Sequence, residues 1–216
     1  MSHLSEISNL NLTDDILKVF DSQLPHEWIN TSGLTLEQRI SVSAAVLHYF
    51  PDYRHSAVNS VVEGPYFAEL WSPTVTKLEE IHSACGEEGR RYFLLDLHSA
   101  LECAFRLSNF AKTAPVIVAT LCKNVFPPYI FTTDVLVEAS RNEEPEMALQ
   151  LAFQLMHQPG MMATLETTEG ITVAAARRDD ITGSQAKFIR EGLENYRRSA
   201  VRPVTSGPRV GQANLG

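Results

Sequence analysis

The chain has 216 residues, of which 44% are hydrophobic and 20% charged, the proportions of a globular protein long enough to bury one sizeable core. A net charge of −8 and a pI near 5.4 exclude a strongly basic duplex-binding domain, and every apolar run is cut by charge or proline before membrane-spanning length. "MSHLSEISNL" has no basic segment leading into an apolar run, so no secretory signal is expected, and Cys85, Cys103 and Cys122 are expected as reduced thiols in a cytosol-like compartment.

In chain order, "NLTDDILKVFDSQL" offers Thr13 as an N-cap, with Asp14 and Asp15 in the first turn where they favour the helix dipole. "LTLEQRISVSAAVLHYFP" offers Thr35 with Gln38 at capping-box spacing. Its Leu36, Ile40, Ala44, Leu47 and Phe50 predict one buried face, with Pro51 as the stop. Asp52 is placed to cap a shorter helix ending at Gly64-Pro65. "WSPTVTKLEEIHSACG" predicts a helix capped by Ser72, with Pro73 at its first position and Gly86 at its exit. The most apolar helix follows, "RRYFLLDLHSALECAFRLSNFAK".

Thr113 and Pro115 are expected to break the path before "VIVATLCKNVF", which is compatible with a buried helix or a strand. Pro127-Pro128 ends that run. Two more helices are expected over 133–141 and 143–157, stopped by Pro159-Gly160. A final helix carries Ala186, Ile189, Leu193 and Tyr196 on one face, and "PVTSGPRVGQANLG" reads as a tail. The fold class expected is mainly α: a helical bundle with an irregular loop near 160–183 and an extended C-terminal tail. Its divisions are an N-terminal helical extension (1–65), a helical-bundle core (66–198) and a Pro/Gly-rich tail (199–216).

Three groups of residues offer chemistry. The tripeptide His-Ser-Ala occurs at 55, 82 and 98, at spacings of 27 and 16 that are not a repeat period. His82 and Cys85, with Cys103 and Cys122, have donor types suited to zinc. No paired CxxC accompanies them, and both Cys85 and Cys103 read as small core residues, so no metal is expected. His98, Glu102 and Arg106 share a helical face at i, i+4 and i+8. That is an imidazole beside an orienting carboxylate, or a plain polar stripe; without a catalytic motif the chain is not expected to be an enzyme and no cofactor is assigned.

The third group is Arg177-Arg178-Asp179-Asp180, followed by Lys187, Arg190, Arg197, Arg198, Arg202 and Arg209. Residues 1–169 carry 10 Lys/Arg and 22 Asp/Glu; residues 170–216 carry 8 and 4. The guanidinium fork suits phosphate, and adjacent carboxylates hold it in place. Glu191 and Glu194 offset much of the last helix's charge, so any nucleic-acid contact is expected to be local and shared among many subunits.

From "NVFPPYIF" through "EPEMALQLAFQLMHQ" to "TTEGITVAAARRDDITGSQAKFIREGL", the order of features resembles the coat proteins of rod-shaped plant viruses of the tobamovirus kind. "YFAELWSP" resembles that family's aromatic approach to its first bundle helix, and Phe126-Pro127 precedes Arg177 by about fifty residues, as in that family. The match spans about residues 66–196; Val125 stands where an arginine often precedes Phe-Pro. The resemblance implies a four-helix bundle, helical self-assembly round single-stranded RNA, a virion or host-cytoplasm location and no membrane. It also implies Arg177 and Arg178 as phosphate contacts, with Asp179 and Asp180 as their partners. The alternative reading is a small α-helical adaptor that binds another protein, with an enzyme using His98 and Glu102 behind it.

Overall fold

The computed structural model describes Asp15, Lys18, Phe20 and residues 22–124, 133–155, 173–175 and 177–200, without the side chains of 124, 199 and 200. Its helices are α1 (Leu36–Tyr49), α2 (Arg54–Glu63), α3 (Phe67–Ser83), α4 (Gly86–Arg106), α5 (Phe110–Asn124), α6 (Thr133–Ser140), α7 (Pro145–Leu155) and α8 (Gly183–Ala200). Short 3₁₀ turns at Pro25–Asn30 and Pro51–Tyr53 flank α1. No strand occurs among the described residues, so the fold is mainly α, and no described helix is long and apolar enough to cross a membrane. The expected cap at Thr13, "VFPPYIF", most of the 160–183 loop and the tail from 201 lie outside the described residues.

Helix α1 begins as its sequence dictates: the Thr35 hydroxyl accepts from Gln38 N (3.2 Å) and the Gln38 side chain accepts from Thr35 N (2.9 Å). Its buried face is different from the one expected. Arg39, Val42, Ser43, Val46 and Leu47 turn inward, while Leu36 stays 39% exposed. Two polar residues enter the interior because partners await them. Arg39 Nη1 donates to the Ile29 carbonyl (2.7 Å) with its guanidinium 4.5 Å from the Tyr66 ring centroid, and Ser43 meets the Thr74 hydroxyl at 3.2 Å. Apolar spacing alone finds Leu47, with Ile40 and Phe50 packed at the edge of the core, but misses the polar residues that share the interior.

Both expected proline boundaries are corrected. α3 starts at Phe67 and runs through Pro73; α5 starts at Phe110 and runs through Pro115. A proline inside a helix forfeits one backbone bond. Here burial on both sides outweighs that loss, with Leu70, Trp71, Thr74 and Leu78 on α3 and Ala114, Ile117, Val118 and Leu121 on α5. Trp71 Nε1 donates to the Thr120 hydroxyl (2.9 Å), tying the two helices together. "VIVATLCKNVF" is thus helical up to Asn124.

Residues 36–63 are not set apart by any gap in packing. α2 packs on α4, and α1 on α3, and one cluster of buried residues joins Val46 and Val61 to Leu97, Phe105, Leu149 and Ile189. Residue 65 lies in the link between α2 and α3. Helix α4 lies at the centre, against α2, α3, α5 and α6, while α8 closes over α6 and α7 through Ala186, Ile189 and Leu193. Tyr196 completes that face against Phe153, with ring centroids 5.9 Å apart.

The α3–α4 turn needs glycine twice. Gly86 has φ +61, the left-handed region. At Gly89 an added Cβ would lie 1.9 Å from the His82 carbonyl oxygen, a backbone atom that cannot swing aside. Gly89→Ala is therefore expected to separate the two helices and cost about 2–4 kcal/mol, read as a lowered denaturation midpoint with an unchanged slope.

Candidate functional site

Helix α4 carries two polar edges. On the first, Asp96, Ser99 and Cys103 face α2 and α3 and are buried. His82 Nε2 lies 2.9 Å from Asp96 Oδ2, His55 Nδ1 lies 3.7 Å from Asp96 Oδ1, Asn59 and Ser99 exchange hydrogen bonds at 3.1–3.2 Å, and the Cys103 thiol donates to Glu63 (3.4 Å). The structure therefore brings two of the three His-Ser-Ala histidines to one carboxylate. The hydrogen bond to Asp96, offset in part by burial, holds His55 above its ordinary pKa.

The four residues whose donor types suit zinc do not come together. His82 is committed to Asp96 and Cys103 to Glu63, while Cys85 is exposed. Burial, then the charge and hydrogen bond of Glu63, push the Cys103 thiol up to about 12; burial also raises Cys122.

The second edge is His98, Glu102 and Arg106, facing α6. His98 Nε2 sits 2.5 Å from Glu102 Oε1, and one donor atom from each of His98, Glu102 and Asp134 lies within 4.8 Å of the others. Burial works against ionisation of Glu102. The His98 hydrogen bond and the charges of His98, Arg106 and His55 outweigh it, so the carboxyl lies below its ordinary pKa.

The network continues outward. Arg106 reaches Glu138 (3.7 Å), and Glu138 accepts from Arg141 (2.9 Å). Arg141 also donates to both the carbonyl and the carboxylate of Asp180 (2.8 and 3.0 Å). Arg178 grips Asp180 through Nε and Nη2 (2.8 and 2.7 Å) and turns Nη1 onto Asp134. Hydrogen bonding from Arg178, opposed by desolvation and reinforced by Arg141, holds Asp180 far below the usual carboxylate range. Asp180 in turn raises Arg178 above its usual value.

The two candidate groups recognised separately in the sequence, His98–Glu102 and Arg177–Asp180, thus meet at Asp134. The Arg-Arg-Asp-Asp run divides in space. Arg178 and Asp180 anchor the segment to α6; Arg177 and Asp179 are exposed and pair with no described residue. Asp134, Glu138 and Arg141 were not among the sequence candidates. Their spacing on a short apolar helix reads as helix-dipole and i, i+3 decoration, and no local pattern links them to a segment 39–44 residues later. Lys187–Glu191 and Arg198–Glu194 pair at 3.6 and 3.2 Å, so both glutamates offset basic charge on the last helix.

The chain matches no protein-family model, and neither a curated protein sequence nor a solved structure shows significant similarity to it.

Two outcomes follow from this chemistry. Brief iodoacetamide treatment of the folded chain at mildly alkaline pH should modify Cys85 first and leave Cys103 unmodified until the chain is unfolded, as read by peptide mass spectrometry. Because the folded Asp180 pKa is depressed, its ion pairs contribute above the unfolded carboxylate range and are lost only as pH falls through the lower folded value. Carboxyl NMR should find Asp180 still ionised where an ordinary aspartate has titrated, and Arg178→Gln should return it towards that range.

Proposed function

We propose that the chain is a self-assembling structural subunit that packages single-stranded RNA, with Arg177 as the phosphate contact and Arg178 as the residue that positions it. The observation that carries the reading is the exposed Arg177 held beside an anchored neighbour. Arg178 is fixed between Asp180 and Asp134, so the backbone bearing Arg177 is fixed too, and that arginine is presented at little entropic cost. This refines the role of Arg178, whose guanidinium is already engaged by two carboxylates.

The charge distribution supports cooperative rather than isolated binding. A body of 22 acidic and 10 basic residues repels a polyanion, and a single arginine–phosphate contact per subunit gives little affinity. Binding becomes appreciable only when neighbouring subunits engage one strand together, which couples RNA binding to homo-oligomerisation. The resemblance of "TTEGITVAAARRDDITGSQAKFIREGL" to rod-shaped plant-virus coat proteins points the same way.

Negative-stain electron microscopy and light scattering of the purified protein, with and without single-stranded RNA, test this reading. Rods, filaments or shells enclosing nuclease-protected RNA are expected. Arg177→Ala should weaken RNA binding and reduce the salt slope by about 0.7 per subunit, while leaving the helical fold intact. A discrete small oligomer that ignores RNA would instead assign the chain to the protein-binding adaptors.

A further inference from the structure

We propose that His98, Glu102 and Asp134 form a binding site for a divalent transition ion of the zinc class. The site does not depend on the RNA reading. One donor atom from each residue lies within 4.8 Å of the others, and the three come from two packed helices rather than from a loop. His98 and Glu102 occupy i, i+4 positions on α4, the spacing that aims two ligands at one point beside a helix. Asp134 comes from the first turn of α6. The side chains are 16%, 26% and 49% exposed, buried enough to be held and open enough to be reached from water.

The charges around the site leave room for a cation. Glu102, Asp134, Glu138 and Asp180 face three guanidiniums, those of Arg106, Arg141 and Arg178. Arg106 and Arg141 are drawn to Glu138, and Arg178 is shared between Asp134 and Asp180. Among the described residues, Glu102 is the carboxylate of these four that receives no guanidinium hydrogen bond, and it leans on His98 at 2.5 Å. A divalent ion satisfies the same need by taking the imidazole nitrogen and both carboxylates.

A zinc ion bound at about 2.0–2.2 Å places tetrahedral ligands roughly 3.4 Å apart, so the 2.5 Å His98–Glu102 contact opens by about an ångström, while Asp134, within 4.8 Å, has at most about 1.4 Å to close. Three protein donors leave a fourth position for water. The nitrogen donor and the low donor count disfavour calcium and magnesium, which want six or more oxygens. Arg178 competes with the ion for Asp134.

The test uses the full chain carrying Cys85→Ser, which removes the exposed thiol, stripped with EDTA and titrated with Zn²⁺ by calorimetry. One ion per chain is expected, undisturbed by millimolar Mg²⁺. His98→Gln, Glu102→Gln and Asp134→Asn should each weaken binding at least about tenfold. Arg178→Gln, by removing the competing cation, should tighten it several-fold. Co²⁺ should give tetrahedral visible bands that disappear with His98→Gln. Circular dichroism identifies any variant that fails to fold, and the remaining substitutions then decide. No binding, binding indifferent to His98→Gln and Glu102→Gln, or an affinity that Arg178→Gln fails to raise would overturn the site.

Discussion

The structure depends on helix α4 being buried on several sides while carrying polar residues into the interior. A carboxylate such as Asp96 is costly away from water unless its oxygens are occupied. His82 and His55 occupy them from α3 and α2, and Asn59–Ser99 and Glu63–Cys103 continue the ladder along α2. His55, Asn59 and Glu63 are each one turn apart, as their partners on α4 nearly are. Sliding α2 along α4 by one turn would preserve much apolar contact but break the Asn59–Ser99 exchange and take His55 from Asp96, which His82 on α3 would still hold. The apolar core supplies most of the driving force for folding; the ladder selects the register in which that core is buried.

The opposite edge of the same helix obeys a different balance. His98, Glu102 and Arg106 are partly exposed rather than sealed in a dry interface, so water still screens them and their pairing contributes less to stability. Their effect is to recruit a distant segment. Through Asp134 and Glu138 on α6, and Arg141 just beyond it, charges beginning on α4 end at Arg178 and Asp180. Without these pairs, residues 177–180 would be fastened mainly by the docking of α8 on α7 and α6. One helix thus fixes the fold on one side and, on the other, positions the basic segment.

The helical class and most of the helices were legible because capping and apolar spacing are local. Thr35 with Gln38, Gly86 at the α3 exit and the Ala186–Ile189–Leu193 face all follow from short-range rules. Errors came where tertiary partners override those rules. Arg39 enters the core because the Ile29 carbonyl and the Tyr66 ring receive it, and Pro73 and Pro115 stay helical because their flanks are buried. The candidate site was half legible. His98–Glu102 and Arg178–Asp180 are close in sequence and were recognised as pairs, whereas Asp134 joins them across a separation that no local pattern encodes.

Asp134 also makes the two edges of the site interdependent. Its carboxylate is within reach of His98 and Glu102 on one side and accepts from Arg178 on the other. A cation drawn to the first side competes with the Arg178 guanidinium, which would then rely on Asp180 alone. An anion drawn to Arg178 competes with Asp134 in the same way and would leave that carboxylate freer for a cation. By linkage each event favours the other to the same extent. The sign of this coupling follows from one shared carboxylate and requires no movement of the helices: whatever loosens the Arg178–Asp134 pair from one side prepares the other.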